Sequence, residues 1–458
     1  MTTRRPCPPA PGPLEGYATQ FDPLLASVAQ RRGFRDYLQG LLLPRDRNKT
    51  LTGLAGAEPI TGAQHREVQR LQWFVSESAW DHEVVNDRRV RLLCEDPATA
   101  PNDRGVLVMD DTGDRKDGTA TAHVARQYLG SVGKIDNGIV AVTSLWADER
   151  VYWPVHAVPY TPASRLPGGE RDPGFRTKPQ LAVELVQAAR EASIEFQAVV
   201  ADCAYGDNPG FTNALVAAKV PFVLALKPRR GTWAPAEQAH TPVEAAGELG
   251  WRSPNRPGQW RRIQRCFRDG HSETWWAADA QLGGWGPERR LRLVVATTDP
   301  ARLPGHSSWY LLTNLPRPAS RRAQQANLAE VVRLYGLRNW VEQGYKQVKG
   351  ELGWADFQVR SDRAIRRHWT LVCCAFSFCW QTFLAHHPAQ PEPLDPQAAS
   401  TATQGAQPTG HRRGTGRAPV VAAGPTSGAG LADPMDRATA LLAVVVASAP
   451  TAAAPSAA

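Results

Sequence analysis

The stretch GVLVMDDTG, residues 105–113, joins an uninterrupted apolar run to two consecutive acids and a turn sequence. A short run of apolar or small residues is typical of a buried β-strand, and Asp-Asp-Thr-Gly is typical of the turn that ends one. The pattern predicts a buried strand that presents a carboxylate at its carboxyl end. Asp111, directly after Asp110, is the residue expected at that end.

A second stretch repeats this design. FQAVVA, residues 196–201, is followed by Asp202 and the turn residues Cys-Ala-Tyr-Gly. This strand and that of residues 105–110 belong to a β-β-β-α-β-α-β order, which indicates an α/β fold with the two acids on neighbouring central strands. The other expected elements are strands at 138–146, 149–158 and 221–226 and helices at 179–191 and 209–219.

A third motif lies in RLYGLRNWVEQGYKQVKGELGWADF, residues 333–357. It places Arg338, Glu342 and Lys349 at offsets of 3, 7 and 14 residues from Tyr335. At 3.6 residues per turn, these side chains fall near one helix face. A carboxylate among cations and an aromatic hydroxyl suits a metal-assisted phosphate site, because the carboxylate binds the metal and the other groups bind phosphate oxygens. An ordinary amphipathic helix with solvated charges is the alternative.

The three acids together favour a two-metal site. Two aspartates at strand ends and one glutamate on a helix can hold two divalent cations about 3.5–4 Å apart, the arrangement used for in-line phosphoryl transfer. Mg²⁺ fits this all-oxygen ligand set, and Mn²⁺ can substitute for it.

Taken together, these motifs resemble those of the IS701 family of insertion sequences, a group of IS4-like DDE transposases. The resemblance covers about residues 20–385 and implies a ribonuclease-H-like core that cuts transposon ends and joins them to target DNA with Mg²⁺ (cut-and-paste transposition). The supporting stretches are VMDDTG (108–113), VVADCAYG (199–206), the Tyr-Arg-Glu-Lys signature, LQWFVSESAWD (71–81), HVARQYLGSVGKIDNGIVAV (123–142) and WYLLTNLP (309–316).

The resemblance implies that Asp111, Asp202 and Glu342 are the catalytic, metal-binding triad. Asp111 is preferred to Asp110 because the family acid directly precedes the threonine; Asp110 is the fallback. One departure is that Asn339 separates the signature arginine from its tryptophan, Trp340.

Four further residues are implied to contact DNA. Tyr335, Arg338 and Lys349 would bind phosphates of the transposon end. Trp309 matches a family tryptophan thought to stack on a base flipped out of the duplex, which an aromatic face can do. A tryptophan in the protein core is the equally weighted alternative for Trp309.

Composition changes along the chain predict five regions. The helical N-terminal unit is implied to bind DNA ends, with a cap that merely packs on the core as the alternative. The separation of 140 positions from the second acid to the third requires an insertion in the core. The regions are a disordered N-terminus (1–16), a helical domain (17–100), a ribonuclease-H-like core (101–227 and 309–386), a β-rich insertion (228–308) and a disordered low-complexity tail (387–458).

Two groups of basic residues are candidates for the DNA path, with a solvated charged face as the alternative. The first follows the signature helix and the second lies in the insertion. They are Arg360, Arg363, Arg366, Arg367 and His368, and Arg261, Arg262, Arg265, Arg289, Arg290 and Arg292.

The net charge of +9, with 53 Lys and Arg, suits a polyanionic partner. The seven cysteines show no zinc spacing, and their odd number and scatter indicate a reducing compartment. The apolar run at 369–384 is short for a membrane span, and no secretory signal is apparent. We therefore expect a cytoplasmic, nucleoid-associated protein that binds terminal inverted repeats and target DNA as a homodimer, without a membrane.

Three other functions are compatible with parts of the sequence. One is another ribonuclease-H-like nuclease, which would lack the signature and the insertion. A second is a domesticated or inactive DNA-binding protein descended from a transposase, which only activity can distinguish. The third is an aspartyl-phosphate phosphatase, but that chemistry needs Asp-x-Asp and Thr112 stands at the second acidic position.

Overall fold

The computed structural model describes residues 6–44, 48–56, 64–267 and 271–386, with the side chain of Arg321 excepted. The described strands form one mixed sheet in the order β2-β3-β1-β5-β6-β10-β9-β8-β7, and β4 pairs with β3. The strands are β1 (Val106–Arg115), β2 (Ala125–Leu129), β3 (Lys134–Ala147), β4 (Tyr152–Tyr160), β5 (Ala198–Ala201), β6 (Phe222–Ala225), β7 (Arg261–Cys266), β8 (Ser272–Ala280), β9 (Arg292–Thr297) and β10 (Ser308–Thr313).

Helices flank this sheet. Their N-termini are capped by the side chains that sequence rules lead one to expect, such as Ser27 on α2 and Thr177 on α6, each within a capping box. The helices are α1 (Pro13–Ala18), α2 (Val28–Leu42), α3 (Leu51–Leu54), α4 (Arg66–Ser76), α5 (His82–Glu95), α6 (Lys178–Glu191), α7 (Cys203–Gly206), α8 (Pro209–Ala217), α9 (Pro242–Gly247), α10 (Arg321–Gly336), α11 (Asn339–Gly350) and α12 (Asp362–His386).

The centre of the sheet has the ribonuclease-H-like arrangement that was predicted. Strand β1 pairs antiparallel with β3 along its whole length and parallel with β5, which pairs parallel with β6. All four residues of β5 are buried. A strand covered by helices on both faces needs such a continuous apolar run, which is why the sequence pattern was informative here.

Strand β1 is longer than predicted. The strand was expected to end near Asp111, but it continues to Arg115 and pairs with β3 as far as Gly138. Asp111 therefore lies within the strand and not at its end. Strand β2 was also missed, and β3 begins at Lys134, before the predicted strand at 138–146, because the exposed residues of this hairpin lack a continuous apolar run.

The insertion forms strands β7, β8 and β9, which extend the central sheet. Strand β10 pairs with β6 on one side and with β9 on the other, so it joins the insertion to the core. Trp275 and Trp276 on β8 are buried. The tryptophans of this region therefore include core residues of one continuous sheet.

The N-terminal helices α2, α4 and α5 pack against α12. Tyr37 shares a hydrogen bond with His368 of α12 (2.8 Å), and the buried Arg89 donates to Ser377 (3.1 Å). Helix α1 corrects the prediction of disorder through residue 16, since Glu15 is bound to Arg35 at 2.8 Å. The proline-rich composition of residues 1–16 is a local property, so it could not indicate that Glu15 binds Arg35, 20 residues further along the chain.

The described residues contain no helix long and apolar enough to cross a bilayer. Helix α12, which contains the apolar run at 369–384, is buried along most of its length. Its cysteines Cys373, Cys374 and Cys379 are core residues. The predicted low-complexity tail, 387–458, lies outside the described residues.

Candidate active site

Asp110 and Asp111 lie on opposite faces of β1, because successive side chains of a strand alternate between faces. Asp110 is 8% exposed, and Arg338 at the start of α11 donates to its Oδ2 at 2.7 Å. Its antiparallel partner on β3 is Thr143. Asp110 therefore faces α11, the helix that follows Arg338 and carries Glu342 and Lys349.

Asp111 faces the other layer of helices. Lys178, the first residue of α6, donates to its Oδ1 at 3.1 Å, and the buried hydroxyl of Tyr205 donates to its Oδ2 at 3.4 Å. Asp111 is thus held in an ion pair away from the signature arginine and glutamate.

Asp202 lies beside Asp110. It follows β5 directly, and its predecessor Ala201 pairs in parallel register with Met109, the predecessor of Asp110. Residues in register on neighbouring strands share a face. The Oδ1 of Asp202 also accepts from the backbone N–H of Ala204 (2.9 Å), which caps the short helix α7. The chain thus turns away immediately after the second acid.

The signature spans two helices and not the single helix that was predicted. Tyr335 belongs to α10, which ends at Gly336, while Arg338 is the N-cap residue of α11. Tight hydrogen bonds bridge the break: the Arg338 N–H donates to the Tyr335 carbonyl, and the Val341 N–H donates to the Arg338 carbonyl, both at 3.0 Å. Bonds spanning three residues tighten the chain between the two helices.

Arg338 contacts two of the acids through one atom. The guanidinium nitrogen that bonds to Asp110 lies 3.6 Å from the Oε1 of Glu342, whose side chain is 60% exposed. The Nε of Arg338 is buried and has no hydrogen-bond partner within the described part of the chain. The guanidinium therefore bridges two carboxylates and retains a free donor.

Burial raises the pKa of Asp110 to about 7. Arg338 opposes this rise, while the negative charge of Asp202 adds to it. A buried carboxyl between a cation and a second acid is costly to ionise, because the low-dielectric surroundings disfavour its charge. Added positive charge would favour the ionised form.

Lys349 is held on β1. Its ammonium pairs with Asp114 at 2.6 Å and donates to the carbonyl of Gly113 at 3.1 Å. Asp114 lies on the same strand face as Asp110, four residues further along. Helix α11 thus contacts β1 through an arginine near its start and a lysine near its end.

Trp309 lies on β10 among other rings. Its ring centroid is 4.5 Å from that of Trp275 and 4.9 Å from that of Tyr335, which it meets edge to face. The guanidinium of Arg265 lies 4.6 Å from the same indole. Burial raises the pKa of Tyr335 to about 12. Trp309 is thus partly buried, and its ring contacts that of Tyr335, the first residue of the signature.

Comparison with known proteins assigns the chain to a family. A family model described as a DDE superfamily endonuclease matches residues 20–280. The chain is 31% identical over 360 residues to the probable transposase for insertion sequence element IS701 of Microchaete diplosiphon, covering 78% of this chain and 85% of that protein. The chain belongs to the IS701-type DDE transposases. The predicted family, fold and enzyme class are confirmed.

The transposase also has a distant likeness to a solved structure. It matches the piggyBac transposase in a synaptic complex with hairpin DNA with a TM-score of 0.40 and 12% identity, over 80% of this chain and 68% of that one. This likeness is too weak to assign residues of the site.

Some basic residues that were predicted to line a DNA path in the transposase are buried. Arg292 binds Asp279 at 2.7 Å, and Arg367 donates to the carbonyls of Val75 and Trp80. His368 is fully buried. Clusters of basic residues in a sequence do not reveal which ones have internal partners, and these three predictions are wrong for that reason.

Two residues that shape the site of the transposase were not predicted from the sequence. Tyr345 shares a hydrogen bond with Thr143 at 2.5 Å, beside Asp110 on the sheet. Its position three residues after Glu342 places it near the same helix face, which was an available signal. Lys178 is 67 residues from Asp111, its partner, and no local pattern could have linked them.

Among the described residues of the transposase, no group of three His, Cys, Asp or Glu side chains converges closely enough to hold a metal ion as it stands. The donor set at Asp110, Asp202 and Glu342 is nevertheless all oxygen, which suits Mg²⁺. The cation now bridging two of these acids is Arg338. Asp110 and Glu342 thus already lie beside a positive charge.

Proposed function

We propose that this transposase cleaves DNA at the ends of its insertion sequence and joins them to target DNA, using Asp110, Asp202 and Glu342 as its metal-binding acids. One observation carries the assignment. Asp110 shares a sheet face with Asp202, and Arg338 links it to the helix of Glu342.

This assignment replaces Asp111 by Asp110. Asp111 already has a cation, Lys178 at 3.1 Å, on the opposite face of β1. Asp110 is buried next to Asp202, and its pKa is raised by burial to about 7. A raised pKa beside a second carboxyl is a frequent feature of catalytic sites.

The carboxylates fit divalent cations, with two Mg²⁺ as the expected ions and Mn²⁺ as a substitute. When bound, such ions polarise the scissile phosphate and lower the pKa of the attacking water. The protein's own contribution is a buried carboxyl, Asp110, whose ionised form gains from nearby positive charge.

Arg338 is proposed to bind the scissile strand. Its Nε is buried without a partner in the described structure, and a guanidinium presents several donors that match phosphate oxygens. Tyr335 is bonded to it through the backbone and Trp309 packs on Tyr335, and both are proposed to contact the transposon end. Lys349 is proposed as a fourth contact, although its ammonium lies on Asp114 in the protein without DNA.

The same site can serve both steps. Water attacks the phosphodiester at the transposon end, which leaves a 3′-hydroxyl on the transposon and a 5′-phosphate on the flanking strand. The 3′-hydroxyl then attacks a phosphodiester of the target, joins to its 5′-phosphate side and displaces the 3′-hydroxyl of the target strand. Two ends must be joined in one event, so a homodimer on DNA is expected. The protein would meet that DNA at the nucleoid in the cytoplasm.

The first experiment is strand cleavage of a labelled duplex that carries the inverted repeat flanking the gene. Wild type is compared in Mg²⁺ and in EDTA with Asp110→Asn, Asp111→Asn, Asp202→Asn and Glu342→Gln. We expect metal-dependent cuts at the repeat boundary. Asp110→Asn should abolish them, and Asp111→Asn should retain them.

The outcomes separate the alternatives. Loss of cleavage with Asp111→Asn but not with Asp110→Asn would restore the assignment drawn from the family motif. Binding of the repeat by wild type without any cutting would indicate a domesticated or decayed transposase. Equal loss of binding and cleavage in Glu342→Gln would count against a metal-binding role for Glu342.

A further inference from the structure

An exposed tryptophan lies on the loop between β6 and α9. Trp233 is 86% exposed, against 61% for Ile135, the next most exposed large hydrophobic residue of the described chain. An indole in water forgoes a substantial hydrophobic stabilisation, since each buried Å² of apolar surface contributes about 25 cal/mol. Single exposed apolar residues are common on protein surfaces, so the residues around Trp233 decide what it can bind.

The backbone around Trp233 is held in place. The N–H of Thr232 donates to the carbonyl of His240 (2.8 Å), and the N–H of Val243 donates to the carbonyl of Pro228 (3.0 Å). The carbonyl of Trp233 packs so closely on Gly283 that an added Cβ there would come within 2.6 Å. The loop therefore presents the indole outward from a fixed backbone.

This loop leaves the sheet at the edge where the acids lie. In the parallel pairing of β1, β5 and β6, Met109 lies beside Ala201 and Ala201 beside Leu224, so β5 and β6 end level with Asp110. Asp207 ties the loop to helix α7, which follows the second acid. Its Oδ1 accepts from the Lys227 N–H (3.3 Å) and lies 3.4 Å from the Nε of Arg230.

The loop is also basic. Lys227, Arg229 and Arg230 fall within seven residues of chain that end at Trp233. The side chain of Lys227 is 67% exposed, and Arg229 is exposed. The guanidinium of Arg230 lies over the ring of Trp285 at 4.9 Å. Exposed cations beside an aromatic face match a phosphate backbone beside its bases.

We propose that Trp233 stacks on a nucleobase of the transposon-end DNA next to the cleavage site, with Lys227 and Arg229 on the adjoining phosphates. The inference rests on the proposed function, because the DNA must enter at the edge that holds Asp110 and Asp202. DNA is favoured over a second protein chain by the two exposed cations and by continuity with the catalytic edge.

The test is binding of a fluorescently labelled repeat duplex in Ca²⁺, which is chosen so that binding is measured without cutting. We expect Trp233→Ala to weaken binding by about five- to hundredfold, the range for loss of one base–aromatic stack. Trp233→Phe keeps an aromatic face and should retain most of the affinity. Gln238→Ala, an exposed change in the same loop, is the matched control and should bind like wild type.

A second readout locates the stack. 2-Aminopurine is placed in turn at each position around the cut. Wild type and Trp233→Phe should change its fluorescence at one position, and Trp233→Ala should not. Cleavage by Trp233→Ala in Mg²⁺ should show a raised KM with kcat nearly unchanged, because the residue binds substrate away from the reacting phosphate.

Unchanged affinity and unchanged 2-aminopurine signals in Trp233→Ala would overturn the proposal. The proposal would also be overturned if Trp233→Ala changed the oligomeric state of the DNA-free protein, measured as its molecular mass, and this change accounted for the weaker binding. Trp233 would then be a contact between protein chains. Failure of the proposed function is a separate result: wild type would bind the repeat but show no Mg²⁺-dependent cut.

Discussion

The ionisation of Asp110 should make the metal-free protein less stable as pH rises. Burial raises the pKa of this carboxyl from 3.8 to about 7. A tenfold change in an acid dissociation constant corresponds to about 1.4 kcal/mol, so ionising Asp110 in the folded protein costs on the order of 4 kcal/mol. The direction of the effect is set by burial of the side chain beside the negative charge of Asp202.

The sign follows from linkage. Below pH 3.8 Asp110 is neutral in both the folded and the unfolded protein, and no cost arises. Between pH 3.8 and about 7 the unfolded form ionises while the folded form stays protonated, so the free energy of unfolding falls. The stability present at low pH is therefore lost as pH rises through the folded pKa. The loss is complete above about pH 8.

The assay is urea denaturation at pH 5 and pH 8 in EDTA, for wild type and Asp110→Asn. Asparagine cannot ionise, so the variant should lose less stability than wild type between the two values. From the raised pKa of Asp110, the difference is expected to be roughly 2 to 3 kcal/mol over this interval. Asp111→Asn is the control for the neighbouring position.

Divalent metal should reverse this loss. Ions that bind the ionised carboxylates of the folded form add RT ln(1 + [L]/Kd) to its stability, and the gain should be larger at pH 8 than at pH 5. If Asp110→Asn and wild type lose the same stability between pH 5 and pH 8, Asp110 is not the buried titrating group and the reasoning is wrong.

Three further predictions concern Asp110, Lys349 and Arg89. Single-turnover cleavage at limiting Mg²⁺ should rise about tenfold between pH 6 and pH 8, as the ionised fraction of Asp110 grows from about a tenth to about nine tenths. Arg338→Gln should raise the pH at which cleavage is half-maximal, because Arg338 lowers the pKa of Asp110. A wild-type rate that does not change from pH 5.5 to 8.5 would contradict this prediction. Lys349→Ala should lower the free energy of unfolding by about 1–3 kcal/mol, because Asp114 is left buried without its cation; an unchanged denaturation midpoint would refute this. If Lys349 also contacts DNA, the salt dependence of repeat binding should flatten by roughly one phosphate contact. Arg89→Met should destabilise by about 1–3 kcal/mol, because the buried Asn86 Oδ1 loses its donor, whereas the exposed Arg91→Met serves as a control expected to change little.

Strongly apolar local patterns made much of the core predictable. Residues 198–201 and 222–225 are buried strands as expected, because a strand covered on both faces requires a continuous apolar run. Exposed residues lack that signal, so β2 and the start of β3, before the predicted residues 138–146, were missed. Pairing of β10 with both β6 and β9 joins segments far apart in the chain, which no local pattern encodes.

The choice between Asp110 and Asp111 shows where local reasoning fails. Both residues satisfy the motif, and a displacement of one residue moves a side chain to the other face of the sheet. The prediction placed the end of the strand near Asp111, but the strand runs to Arg115. Only the pairing of Met109 with Ala201 and the position of Arg338 identify the face that Asp202 shares.

The sequence by itself determined the kinds of groups available to this transposase and the order of the strands and helices that carry them. Residue types and apolar periods are local properties, and they suffice to indicate acids, cations and elements. Tertiary structure alone decided which acid lies beside Asp202, which cations have internal partners and which tryptophan stays in solvent. These outcomes depend on strand register, helix packing and burial, and all three arise from contacts between segments distant in the chain.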